Sequence, residues 1–185
     1  MLEISFHPFP ELVTSRLLLR KLENTDTEQF FKLRSDKEVM RYIGKKPMEK
    51  MEEALDFINL LNDNLEKNSG ITWVMALREE PGKLIGTIAL WRIIKEHFRA
   101  EIGYMLLPEY WRKGFTKEAI EKVVEYGFHE LKLHSIEGDI SAINTASAKT
   151  LESAGFVKEA HFKEDFFFDG KFEDTIIYSL LNNKS

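Results

Sequence analysis

The apolar positions of this chain change period several times, and each change marks an element. The stretch TSRLLLRKL (14–22) is short and apolar and reads as a strand over 16–22. A polar run follows. Asp26 is placed to cap a helix through about residue 35 that turns Phe30, Phe31 and Leu33 inward, and 36–42 reads as a further short helical turn. Over 48–68 Met51, Ala54, Leu55, Ile58, Leu61 and Leu65 recur at helical spacing, and Asn68-Ser69-Gly70 ends the helix. Strands over 71–79 and 83–94 flank Glu80-Pro81-Gly82, a hairpin turn, and a third strand (99–107) stops before Pro108. The amphipathic pattern is sharpest over 116–131. There Ala119, Ile120, Val123, Val124, Gly127, Phe128 and Leu131 share one face, and Lys117, Glu118, Glu121, Lys122 and Glu125 the other. A strand over 132–140, a helix over 145–153 stopped by Gly155, and two strands (FVKEAHF and FEDTIIYSLL) joined at Asp169-Gly170 complete the chain.

The order is strand, two helices, three strands, helix, strand, helix, two strands. Hairpins suit antiparallel pairing, while the strand–helix–strand passage through 99–140 suits a parallel pair with a crossover helix. The prediction is an α/β (α+β) fold in one domain over 1–185. It has a mixed, mostly antiparallel twisted sheet of about seven strands with helices on both faces.

Composition narrows the function. The chain has 185 residues, 43% hydrophobic and 31% charged, with a net charge of −5. An acidic balance argues against nucleic acid as the main partner, although Arg112-Lys113 forms a local basic spot. With no cysteine, disulfides, thiolate metal sites and cysteine nucleophiles are excluded. The N-terminal stretch MLEISFHPFPELV has no basic region followed by a long apolar core, and no apolar run approaches the ~20 residues of a membrane span. The expectation is a cytoplasmic protein with no membrane partner. Nothing in the pattern sets an oligomeric state.

The candidate chemistry starts at EYWRKGFT (109–116), where a strand ends and a helix begins. The first N–H groups of a helix lack internal partners and favour an anion, and Gly114 has no Cβ to block a ligand from the backbone. The same stretch also reads as a plain strand-to-helix turn. Known phosphate loops do not fit, since each Gly-Lys pair here is followed by Lys, Leu or Phe and the junction holds a single glycine. HELKLH (129–134) is not a zinc site. Its histidines are five apart and straddle a helix–strand boundary, and the remaining histidines form no ligand spacing.

Trp111-Arg112-Lys113-Gly114-Phe115-Thr116 resembles the acyl-CoA loop of the GNAT N-acetyltransferases, Q/R-x-x-G-x-G/A. The fuller run YWRKGFTKEA is similar to the ribosomal-protein-alanine N-acetyltransferase branch, Tyr-Trp-Gly-Lys-Gly-Tyr-Ala-Thr-Glu-Ala. Arg112 stands where that branch has glycine, and Lys117 where it has threonine. The segments TSRLLLRKL, SDKEVMRYIG, AEIGYMLLPEYWRKG, NTASAKTLESAGF and DGKFEDTIIYSLL match the branch in order, so the resemblance covers nearly the whole chain.

The resemblance implies the GNAT fold, acetyl-CoA as acyl donor and a primary amine, such as a protein N-terminus, as acceptor. It implies direct attack in a ternary complex, with no metal and no covalent enzyme intermediate. Residues 111–116 (Trp111, Arg112, Lys113, Gly114, Phe115 and Thr116) then hold the pyrophosphate. The backbone groups of Met105 and Leu106 hold the pantetheine arm, with the Leu106 N–H aimed at the thioester oxygen. Asn144 meets the pantetheine arm, and Ser147, three residues on along the same helix face, lies near the sulfur as the acid for the departing thiolate. The tyrosine acid that many relatives carry falls at Leu151. Glu101, in mid-strand, is the candidate base, directly or through water, with His161 and Glu164 as alternatives; it also reads as a salt-bridge partner of Arg92 or Arg99. Where some relatives carry a functional glutamate, this chain has Phe166. A non-catalytic acyl-CoA-binding module on the same fold is the alternative function.

Overall fold

The computed structural model describes residues 2–182. Residues 1 and 183–185 of the expected domain lie outside that range. One eight-stranded sheet runs through it in the order β1-β2-β3-β4-β5-β6-β8-β7. The strands are β1 (Leu12–Val13), β2 (Leu17–Lys21), β3 (Ile71–Leu77), β4 (Gly86–Ile94), β5 (Arg99–Leu106), β6 (Ser135–Ser141), β7 (Val157–Phe168) and β8 (Lys171–Leu181). All neighbours are antiparallel except β5 and β6, which the crossover helix α4 (Phe115–His129) makes parallel. The other helices are α1 (Thr27–Ser35), α2 (Lys37–Met40), α3 (Met51–Glu66) and α5 (Thr145–Ser153). No helix of the described residues is long and apolar enough to cross a membrane.

The sheet has one strand more than the pattern indicated, because the two-residue β1 is too short to show a period. Asp26 does not cap α1 with its side chain. It is 2% exposed and takes a two-pronged bond from Arg20, at 2.7 and 2.8 Å. Asp36 is the cap that forms, accepting from the N–H groups of Glu38 and Val39 at the start of α2. Along α3 only Ala54, Ile58 and Leu65 are buried, while Met51 and Leu55 face outward. The helix therefore rests on the sheet with a narrower stripe than its apolar content offers.

Side-chain alternation along β3 divides the interior in two. Ile71, Trp73 and Met75 pack with Ala119, Ile120 and Val123 of α4. Val74 and Ala76 pack with Phe30 and Leu33 of α1 and with Ala54 and Ile58 of α3. The sheet register carries this division to β5. Trp73 pairs with Ile88 and Ile88 with Tyr104, so Tyr104 belongs to the α4 face. Val74 pairs with Thr87 and Thr87 with Met105, so Met105, Gly103 and Glu101 belong to the α1–α3 face. On β6, Gly138 lies close under Leu151, which places α5 on the same face as α4.

Candidate active site

The parallel ladder between β5 and β6 has three residue pairs and stops at Glu101↔Glu137, although β5 continues to Leu106 and β6 to Ser141. Beyond Glu101 the two strands part, and the sheet opens between them. On its other side β5 stays paired with β4 as far as Leu106, with an irregularity between Trp91 and Ile94 beside the point of parting. Arg92 sits in that irregularity with a positive φ of 45°.

Backbone direction alternates along an antiparallel ladder, so alternate residues of β5 address opposite edges. The Leu107 N–H donates to the Ile85 carbonyl, which assigns Leu107, Met105 and Gly103 to β4. The backbone groups of Tyr104 and Leu106 therefore face the opening, and the Leu106 carbonyl is already taken there by the Trp111 indole N–H at 2.7 Å. This corrects one expectation. Leu106 presents its N–H to the opening, but the Met105 backbone is directed at β4 and only its side chain reaches the site region. The Tyr104 N–H was missed, though the period-two rule would have found it.

The loop at the end of β5 is built around two left-handed residues, Arg112 (φ 61°) and Gly114 (φ 79°). Arg112 thus adopts the conformation for which the similar branch keeps glycine, at a strain on the order of 1–2 kcal/mol. The first bond of α4 runs from the Glu118 N–H to the Gly114 carbonyl, which leaves the N–H groups of Phe115, Thr116 and Lys117 without partners inside the helix. Trp111, Arg112 and Lys113 are exposed, Thr116 is half-buried, and Phe115 is buried and anchors the turn in the core.

A network that sequence reading did not find ties this loop to the start of β2. Glu118 accepts from the hydroxyls of Thr14 (2.5 Å) and Ser15 (3.0 Å) and from the Arg16 N–H (2.9 Å), and it pairs with the Arg16 guanidinium (2.6 Å). Burial opposes ionisation of Glu118, but those donors together pull it down to about 2. Arg16 also donates to the Lys113 carbonyl (2.9 Å) and lies over the Phe115 ring (4.5 Å), so the loop before α4 is gripped from outside.

Across the opening, Asn144 caps α5 by accepting from the Ser147 N–H at 3.1 Å. Ser147 is buried, and its Oγ lies 2.7 Å from the Tyr104 hydroxyl. Burial pushes the Tyr104 phenol up to about 12, with Ser147 pulling the other way. Leu151 is fully buried, so the hydroxyl that reaches Ser147 comes from the strand, not from that helix position. On the other face, Glu101 is 5% exposed and its Oε2 meets Arg92 at 2.9 Å. Burial raises its carboxyl to about 7. Arg92 opposes the shift, and Asp139 and Glu137 add to it.

The alternative bases are placed differently. His161 and Glu164 both lie within β7, which runs on past the expected loop, and both are exposed. The His161 ring meets Asp174 at 2.7 Å, and Glu164 sits at a positive φ of 51°. Phe166 stacks near Phe168 and packs against Gly44, where a Cβ would come within 2.6 Å of its ring. Among the described residues no group of three His, Asp or Glu side chains could hold a metal ion.

Residues 16–157 match the family model described as an acetyltransferase (GNAT) domain. A Bacillus subtilis protein named uncharacterized N-acetyltransferase YoaA is 39% identical over 173 residues, covering 94% of this chain and 97% of that protein. Spermidine N(1)-acetyltransferase of Vibrio cholerae is 30% identical over 93% of this chain and 96% of its own length. Among solved structures, a Vibrio cholerae spermidine N-acetyltransferase in complex with CoA and spermine superimposes with a TM-score of 0.82 at 30% identity, covering 92% of this chain and 98% of that one. The chain therefore belongs to the GNAT family of acetyltransferases and is an N-acetyltransferase with the GNAT fold.

Proposed function

We propose that this protein transfers the acetyl group of acetyl-CoA to a primary amine, by direct attack within a ternary complex. The observation that carries the reading is the opening beside β5. Free backbone N–H groups line its edge, hydroxyls lie on one face of the sheet, and a buried carboxylate lies on the other.

In this reading the pyrophosphate rests on the N–H groups at the start of α4, with Arg112 and Lys113 as local charge on an acidic protein. The pantetheine arm runs into the opening beside β5 and past Asn144. The N–H groups of Leu106 and Tyr104 stabilise the oxygen as the thioester carbonyl becomes tetrahedral. Glu101 takes a proton from the ammonium, directly or through water. The free amine attacks the carbonyl carbon, the C–S bond breaks, and the second proton of the nitrogen passes to the departing sulfur by way of Ser147, so that CoA leaves as the thiol. Tyr104 keeps its proton throughout the neutral range and donates it to Ser147 Oγ. The Ser147 hydrogen is thereby left to point at the departing sulfur. Tyr104 is a positioning residue, and Ser147 and Glu101 are the catalytic pair.

A relative's acceptor, spermidine, belongs to that relative. For this chain the acceptor class is a primary amine, with a protein N-terminus among its members. The test is a melting-temperature shift with CoA, followed by acetyl-CoA turnover against a panel of amines and peptides read by mass spectrometry. A shift with CoA and a mass gain of one acetyl group are expected. CoA binding with no acetylation of any panel member would leave only an acyl-CoA-binding module, and no shift with CoA would sink both.

A further inference from the structure

Arg34 stands in the last turn of α1, where a cation ordinarily projects into water. Its neighbour Lys32 does so and pairs with Glu109 at 2.9 Å. Arg34 instead turns inward beside Phe30 and Leu33 and is 8% exposed. Its Nη1 touches the Met105 sulfur at 3.6 Å, and its guanidinium lies 4.7 Å over the Phe57 ring. Nε is fully enclosed without a hydrogen-bond partner, and no ion pair reaches Arg34 among the described residues. Burial lowers its pKa, yet a guanidinium stays charged. The contrast within this molecule is Arg20, also largely buried, which carries its own carboxylate, Asp26. A buried cation without a counter-ion is costly to keep unless something else supplies the anion.

Its position indicates what that is. Met105 shares the α1–α3 face with Glu101 and lies between Tyr104 and Leu106, whose N–H groups face the opening. A cavity of about 750 Å³ lies between the chain after α1 and the tip of the β7–β8 hairpin, and it reaches Arg34 through its neighbour Ser35 and through Met48, whose N–H donates to the Arg34 carbonyl at 3.0 Å. It is lined by Lys37, Arg41, Lys45, Lys46 and Lys171 against three acidic side chains, on a protein whose net charge is −5. A cationic approach to a buried, unpaired cation attracts an anion and repels a polycation.

We infer that Arg34 receives an anionic group of the acceptor, so that the preferred acceptor is an amine that also bears an acidic group and not a polyamine. This rests on the acetyl-transfer reading above. It makes Arg34 a specificity-determining residue on the acceptor side, with the cationic cavity as the approach.

Matched amines test it: 4-aminobutyrate against butylamine, 2-aminoethyl phosphate against ethanolamine, and spermidine, each with acetyl-CoA. The wild-type protein is expected to favour the anionic member in kcat/KM on the order of tenfold to a hundredfold, the size of a charge-assisted hydrogen bond. The carboxylate and phosphate arms report which anion fits. Arg34→Met conserves volume and removes a buried charge, so it folds, and the anionic-to-neutral ratio should collapse toward one. A ratio unchanged in Arg34→Met, or a wild-type preference for spermidine, overturns the inference. The same amines are also added to the CoA-bound protein and the melting temperature read. A shift from the anionic members in wild type that is lost in Arg34→Met supports the inference even if no acetylation occurs, in which case the acetyl-transfer reading alone fails. No such shift, and no preference in turnover, defeats it.

Discussion

The start of α4 and the β7–β8 hairpin are held in different ways. At the start of α4 two left-handed residues and a bare helix N-terminus present backbone groups, and the Glu118 carboxylate fastens them by gathering donors from Thr14, Ser15 and Arg16. The hairpin is a β7–β8 ribbon with register shifts in β7, and it exposes Phe162, Phe166, Phe167 and Phe172. In the reading proposed above, a cofactor common to a family is met by main chain, which a sequence can vary around, and an acceptor that differs between relatives is met by side chains on irregular structure.

The largest effect is expected for Glu101→Gln, which should lower kcat about 10²–10⁴-fold while leaving the CoA dissociation constant in place, measured by calorimetry. In the parent protein kcat/KM should rise with pH through about 7 and then level off as Glu101 ionises, and the variant should lose that limb. Equal losses of turnover and CoA affinity would merge the two sides.

Ser147→Ala should lower turnover next, on the order of tenfold to a hundredfold, through loss of the donor to the sulfur. Tyr104→Phe should cost less. The double variant should be no worse than Ser147→Ala, because the tyrosine acts through the serine. Additive losses in the cycle would show that Tyr104 acts by itself.

Gly114→Val should weaken CoA binding by about 1–3 kcal/mol, since valine resists a φ of 79° and its Cβ would lie 3.4 Å from the Arg16 guanidinium. The pH dependence of the remaining turnover should not move. Unchanged CoA affinity would reduce the loop to a turn.

The smallest effect is a stability test with opposite signs on the two sides. Glu118 is held at about 2, below its ordinary 4.5. The stability it contributes is present above pH 4.5 and is lost as pH falls toward 2. Glu101 is raised to about 7, so its burial costs nothing below pH 4.5 and destabilises progressively as pH rises from 4.5 to 7. Glu118→Gln should therefore flatten the acid limb of a melting curve against pH, and Glu101→Gln the neutral limb. The reverse assignment would contradict both environments.

Much of the architecture was legible in the residues. The helix over 145–153 was read to the residue, and the crossover helix and the parallel pair followed from the sharp amphipathic run between two strands. Gly114 stood out as the residue without a Cβ at a strand-to-helix junction, and the structure gives it left-handed backbone there. Placing both Met105 and Leu106 at the opening was an avoidable error, since adjacent residues of a strand cannot address the same edge. The outward Met51 and Leu55 were not avoidable, because how much of an apolar stripe is covered depends on the sheet beneath it.

What the sequence determined by itself was therefore what local backbone geometry and side-chain period control: the elements, their order, the sheet class, and a glycine at the strand-to-helix junction before α4. What only the tertiary structure decided were the meetings between distant residues. Tyr104 meets Ser147 across 43 positions, Arg16 meets Glu118 across 102, and Arg34 meets Met105 across 71. The parting of β5 from β6 just past Glu101 belongs with them. These contacts depend on register, twist and the burial of charge, and none of those is encoded within one stretch of chain. In the reading proposed above, the catalytic and acceptor-binding groups are assembled from such contacts, while the loop at the start of α4 takes its shape from local backbone and is fastened by Arg16 and Glu118.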